Sequence, residues 1–172
     1  MTDVIDALDN YMDDLFSGKG MKPFGLCELI KKGSSIQPVH VDSRQHIAIN
    51  DKYDGMWYHR ILSGGAKPSE ENSFGVTIAK KQTVRLRTVL ATKHKLGESL
   101  RFDFAVQIPS TLEVDGYRLI DISDDVNLIE DQEGVYNQEF GGGDYDKHAT
   151  AWNVHALEYD VELIKCEQTQ TA

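Results

Sequence analysis

Cysteine is scarce in this chain: two residues in 172, Cys27 and Cys166, each set among apolar neighbours. That excludes a small scaffold stapled by disulfides, and no bridge between the two is expected. No apolar run approaches the roughly 18 residues needed to cross a bilayer, so no membrane partner is expected. The first ten residues carry Asp3, Asp6 and Asp9 where a secretory signal would place basic residues and an apolar stretch. A reducing cytoplasm is therefore the expected compartment.

Motifs for chemistry are missing too. There is no Gly-x-Ser-x-Gly elbow, and neither cysteine has the flanks of a nucleophile. No Gly-x-x-x-x-Gly-Lys-Ser/Thr loop and no Gly-x-Gly-x-x-Gly turn is present to hold phosphates. The run Asp121, Ser123, Asp125, Asn127 imitates the start of an EF-hand, but Val126 stands where the sharp turn needs glycine and Gln132 where the bidentate glutamate belongs. No cofactor, no catalytic residue and no metal ligand is assigned. Two other readings stay open. One is a metal-dependent hydrolase using His40, His46 and His148 with Asp144 and Asp146; the other is a β-sandwich module binding sugars or peptides through Trp57 and Tyr58.

What the chain does have is charge, unevenly spread. Its formal charge of -10 argues against a general nucleic-acid binder. Residues 72 to 97 hold Lys80, Lys81, Arg85, Arg87, Lys93 and Lys95 and no acid, whereas residues 98 to 172 hold seventeen acids against Arg101, Arg118, Lys147 and Lys165. Such asymmetry suits head-to-tail contact between copies. It equally suits pairing of a basic strand with acidic strands inside one molecule. The residues expected to carry inter-subunit contact are Lys80, Lys81, Arg85, Arg87, Lys93 and Lys95 with Asp13, Asp14, Glu158, Asp160 and Glu162.

Length, with 40% hydrophobic and 27% charged residues, describes one soluble globular domain over 1–172. Val4, Ile5, Leu8, Tyr11, Met12, Leu15 and Phe16 recur at helical spacing, which predicts an amphipathic helix over 3–16 that Gly18 can end. The apolar segment from Phe24 to Ile30 is too short to assign. Pro38 to Val41, His46 to Asn50, Met56 to Leu62, Tyr117 to Ile122 and Val126 to Ile129 read as extended. Val84, Leu86, Thr88 and Leu90 alternate with Thr83, Arg85, Arg87 and Val89, and after Gly97 the alternation resumes as Leu100, Phe102, Phe104, Val106 and Ile108. That pattern predicts a central hairpin with Arg87 opposite Asp103. Leu157, Tyr159, Val161 and Leu163 alternate with Glu158, Asp160 and Glu162, which predicts a closing strand whose acidic side faces Arg85, Arg87 and Arg101. Residues 63–73 and 134–149 read as long flexible loops, and 168–172 as a polar tail. The sum is an α+β domain: mainly antiparallel sheet of about seven strands with an N-terminal amphipathic helix.

An acidic N-terminal helix, the mid-chain stretch VRLRTVLATKHKLGESLRFDFAVQIP and the closing strand ALEYDVELIKC together resemble the neck and tail-joining proteins of tailed bacteriophages, the tail terminator and head-tail connector group. The resemblance implies a non-enzymatic structural subunit of a homo-oligomeric ring. It implies portal, neck or tail proteins as partners, DNA passing through the lumen without sequence-specific contact, and residence in the host cytoplasm during assembly and then in the virion. Within that expectation, the closing strand takes Arg87 while Lys93 and Lys95 point toward a neighbouring copy.

Overall fold

A computed structural model describes residues 2–42, 46–67, 80–96, 111–114, 117–122, 126–142 and 145–165. Helix α1 spans Thr2–Leu15 and is followed by strands β1 (Met21–Lys32), β2 (Ser35–His40), β3 (Gly55–Lys67) and β4 (Lys80–Lys93). A 3-10 turn at His94–Leu96 precedes β5 (Thr111–Val114), β6 (Tyr117–Ile122) and β7 (Asn127–Ile129). Two short helices, α2 (Gln132–Phe140) and α3 (Tyr145–Ala149), lead to β8 (Trp152–Lys165). The strands form one sheet in the order β2-β1-β3-β4-β8-β6-β5, with β7 also paired to β8. The architecture is α+β and the sheet is mixed, because β1 and β3 run parallel.

Period-two alternation assigns the faces of the central strands. Val84, Leu86 and Leu90 of β4 and Leu157, Tyr159, Val161 and Leu163 of β8 pack with Trp57 against Val4, Ile5, Leu8 and Met12 of α1. Each fully buried side chain of this size contributes about 1.5–3 kcal/mol, so the stripe on α1 is what holds the helix down. On the opposite face, Met56, Tyr58, Val89, Ala91, Val154 and Ala156 pack against Val135 and Tyr136 of α2. The core is thus two apolar layers on one sheet. Helix α1 ends where expected, with Gly18 at φ +75°.

Four expectations change. The central hairpin does not form as read, because β4 is flanked on both edges, by β3 and by β8, along its whole length. Residues 100–108 and Asp103 lie outside the described residues. Residues 134–149 were expected to be loop, yet α2 and α3 occupy most of them. The Asp131 side chain accepts a hydrogen bond from the Gly134 amide at 3.0 Å and caps α2, and Gly141, at φ +77°, ends it. Residues 63–67 continue β3 rather than opening a loop, since Gly64 and Gly65 pair with Val84 and Thr83. Finally, His46 to Asn50 is no strand: His46 alone bridges to Val39.

Candidate assembly surface

Register alone brings the basic and acidic strands together. Arg85 of β4 stands opposite Asp160 of β8, and Arg87 opposite Glu158. The Arg85 Nη1 donates to Asp160 Oδ1 at 3.2 Å. Arg87 donates from Nε to Glu158 Oε1 at 2.8 Å, with Nη2 on the same oxygen, and from Nη1 to Glu139 at 2.9 Å and Gln138 at 2.6 Å. Burial alone would lower the Arg87 pKa, but its hydrogen bonds to Glu158 and Glu139 win and hold it above the ordinary arginine range. Arg87 is 7% exposed, so this cation is occupied inside the chain.

Glu139 is the centre of that cluster and is fully buried. Its Oε1 accepts from Arg60 Nη2 at 2.7 Å as well as from Arg87, and its Oε2 accepts from the Tyr58 hydroxyl at 2.9 Å. Burial, then the Glu139 charge, pushes the Tyr58 hydroxyl well above its ordinary pKa. The consequence is mechanical: α2 is bolted to β3 and β4 through one carboxylate.

The other expected contact residues are spread around the molecule. Lys80 and Lys81 open β4 opposite Lys165 and Ile164 of β8. Glu162 is half-buried opposite Thr83. Asp13 and Asp14 are exposed at the end of α1, without an ion pair among the described residues. Lys93 and Lys95 find a partner in their own chain: their Nζ atoms lie 3.5 and 2.6 Å from Asp54 Oδ1. Lys93 also donates to the Asp51 carbonyl at 2.7 Å. The Lys95 hydrogen bond is the main reason that the Asp54 carboxyl is held below its usual range.

On the α1 face a second polar group set lies at the sheet centre. Asp9 Oδ1 accepts from Trp57 Nε1 at 2.8 Å and from His59 Nε2 at 3.2 Å. His59 Nδ1 is 2.7 Å from Thr88 Oγ1, which is 2.7 Å from the Tyr159 hydroxyl. A carboxylate only accepts, so Nε2 carries a proton and donates to Asp9, while the Thr88 hydroxyl bridges Nδ1 and the Tyr159 hydroxyl. The order resembles a nucleophile–base–acid relay, but His59 and Thr88 are fully buried, so no substrate reaches them. It is an internal strut.

The alternatives fare as follows. Trp57 and Tyr58 are 0% and 1% exposed, so neither is a stacking platform for a sugar or peptide, as the binding-module reading required. His148 Nδ1 lies 2.7 Å from the Tyr136 hydroxyl. Among the described residues no group of three or more His, Cys, Asp or Glu gathers at metal-binding geometry; Asp144 lies outside them. Cys27 is a buried free thiol, and burial, reinforced by Asp9 and Glu139, pushes its pKa up to about 12; Cys166 lies outside the described residues.

What remains is an edge. β1 pairs with β3 only from Met21 to Leu26, then diverges to pair with β2 from Cys27 to Lys32. A register shift between Pro23 and Leu26, with Gly25 at φ +59°, marks the split. From Arg60 to Lys67 the side of β3 that faces β1 carries no ladder among the described residues. On this stretch of β3 stand Ile61 and Leu62, exposed by 43% and 36%; with Ile30 of β1, exposed by 38%, they are the exposed large apolar side chains among the described residues. Between the diverging strands is a cavity of about 340 Å³, lined by Leu26, Cys27, Leu29, Arg60 and Ile61. Sequence reasoning missed this edge, although Ile61-Leu62 followed by Ser63-Gly64-Gly65 breaks the alternation of β3 in a visible way. No protein-family model matches the chain, and no curated protein matches it in sequence.

Proposed function

We propose that this protein is a non-enzymatic structural subunit of a homo-oligomeric ring, of the kind that joins head to tail in tailed bacteriophages. The observation that carries this reading is the side of β3 that from Arg60 to Lys67 has no strand partner among the described residues, with Ile61 and Leu62 exposed on it. An unpaired strand edge next to exposed apolar side chains is a standing template for another chain, and proteins either blunt such an edge or cover it. Here no proline, lysine or inward charge interrupts Ile61 to Gly65. A neighbouring copy covers it in the ring.

Charge fits the same role. Arg85 and Arg87 of the basic strand are neutralised by β8 and α2, and the chain as a whole carries a formal charge of -10. A wall of that sign lets DNA pass without holding its phosphates. In this reading the mainly antiparallel sheet is a rigid ring wall, and the subunit accumulates in the host cytoplasm before entering the virion.

Light scattering of the purified protein, together with electron microscopy of assembled particles, tests the reading. The expected result is a closed oligomer in solution or a ring on the particle, lost when Ile61 becomes Asp. A protein that is monomeric and also absent from particles overturns it.

A further inference from the structure

A second cavity, of about 320 Å³, lies where α1 crosses the base of the β1–β2 hairpin. Asp9 forms part of its wall. While Oδ1 of Asp9 is engaged by Trp57 and His59, its Oδ2 lies 3.6 Å from the point where a Cβ on Gly25 would stand. His40 Nε2 lies 3.4 Å from the same point. Gly25, at φ +59°, thus keeps open a space in front of a carboxylate and an imidazole that any other residue would fill. Ile5, Pro23 and Phe24 supply apolar wall, and Asp6 and Asp42 stand exposed at the rim without an ion pair among the described residues. A cavity with apolar wall on one side, a carboxylate inside and two more at its rim suits an alkyl chain with an ammonium head.

The other end of the same hairpin carries that group. Lys31, Lys32, Gly33 and Ser34 form an exposed tip, and neither lysine has an acidic partner among the described residues. From Leu26 to Lys32 the strand runs six steps, roughly 20 Å at about 3.3 Å each. A lysine side chain reaches only about 6 Å. The tip therefore cannot fold back into the cavity at its own base.

We propose that the hairpin tip of one copy docks on the next, placing Lys31 or Lys32 in the cavity in front of Asp9, with Asp6 and Asp42 closing over the ammonium. Tip and cavity are different surfaces, so the contact is heterologous and propagates head to tail, which is the geometry that closes rings. The inference rests on the ring reading and names its contact.

Two exposed double charge reversals test it, K31D/K32D and D6K/D42K, with the fold of each checked by circular dichroism. Alone, each variant should self-associate roughly 100-fold more weakly than the wild type in sedimentation equilibrium at low salt. Mixed in equal amounts, they should associate again, because the acidic tip of one now meets the basic cavity of the other. Carbodiimide treatment of a mixture of isotopically light and heavy wild-type protein should give light-heavy links from Lys31 or Lys32 to Asp6 or Asp42. If both variants assemble as the wild type does, the docking contact is overturned while the ring reading stands. If no light-heavy link forms even in concentrated protein, the docking contact also falls, and the ring reading is then decided by the particle images alone.

Discussion

Under α1, the polar groups at the sheet centre form a line of hydrogen bonds joining Tyr159, Thr88 and His59 that ends on a single carboxylate, Asp9. Under α2, the same strands present Tyr58, Arg60 and Arg87, which converge on the buried carboxylate of Glu139, while Glu158 accepts from the other side of Arg87. The two sets sit back to back, since Tyr58 and His59, or Arg87 and Thr88, are consecutive residues whose side chains point to opposite faces. Their costs differ. A line of hydroxyl and imidazole groups loses one or two hydrogen bonds when a member is removed, whereas an ionic cluster loses a partner that keeps another charge tolerable out of water.

The comparison yields an ordered series of outcomes. Glu139→Ala should have the largest effect, lowering stability in urea unfolding by about 3–5 kcal/mol, because Arg60 loses its carboxylate and Arg87 one of two. A drop below that of Thr88→Val would invert the comparison. Thr88→Val, which leaves His59 Nδ1 and the Tyr159 hydroxyl without their partner, should cost about 1–3 kcal/mol in the same assay.

Alkaline pH separates the faces next. Burial raises the folded-state pKa of Tyr159 on one side, and burial with Glu139 raises that of Tyr58 on the other, both above the ordinary 10.0. Above that value the unfolded chain releases protons that the folded chain keeps. Stability is therefore full below about pH 10 and is lost as pH rises toward the raised folded-state values. Urea midpoints measured between about pH 9 and 11 should fall, and both Tyr58→Phe and Tyr159→Phe should flatten the fall; equal slopes in all three proteins would exclude this origin. The Cys27 thiol, raised to about 12 and buried, should stay unlabelled by iodoacetamide at neutral pH until the protein unfolds. The smallest effect belongs to the surface: Lys95→Ala leaves the half-buried Asp54 carboxylate to Lys93 alone and should leave the urea midpoint unchanged within error.

Much of this was legible because period two is a local signal. The alternation in 84–90 and 157–163 assigned both faces correctly, and the pairing of Arg85 and Arg87 with the acidic side of the closing strand follows from it. What alternation does not encode is which strands meet. The best local partner of β4 in sequence was the stretch after Gly97, but its two edges went to β3 and to β8, some 70 residues away in sequence. Helix α2 was hidden for a different reason. Gly134 and three consecutive glycines lower its propensity, and its buried residues, Val135, Tyr136 and Glu139, include an acid that reads as solvent-facing until two arginines are placed above it. The cap at Asp131 and the stop at Gly141 were nonetheless visible signals. The open edge was legible only as a lapse in alternation at Ile61-Leu62.

The position of β8 sets the order in which the molecule is made. It is the last strand to be synthesised, yet it is paired to β4, β6 and β7 at once. Until the ribosome has released residues 152–165, β4 has one edge bare and α2 has no Glu158 or Val154 beside it. The chain consequently completes its sheet only once β8 has emerged, through contacts distant in sequence, which slows folding by topology. During that interval the nascent subunit offers a bare edge on β4, and beside it a side of β3 that from Arg60 to Lys67 has no strand partner among the described residues.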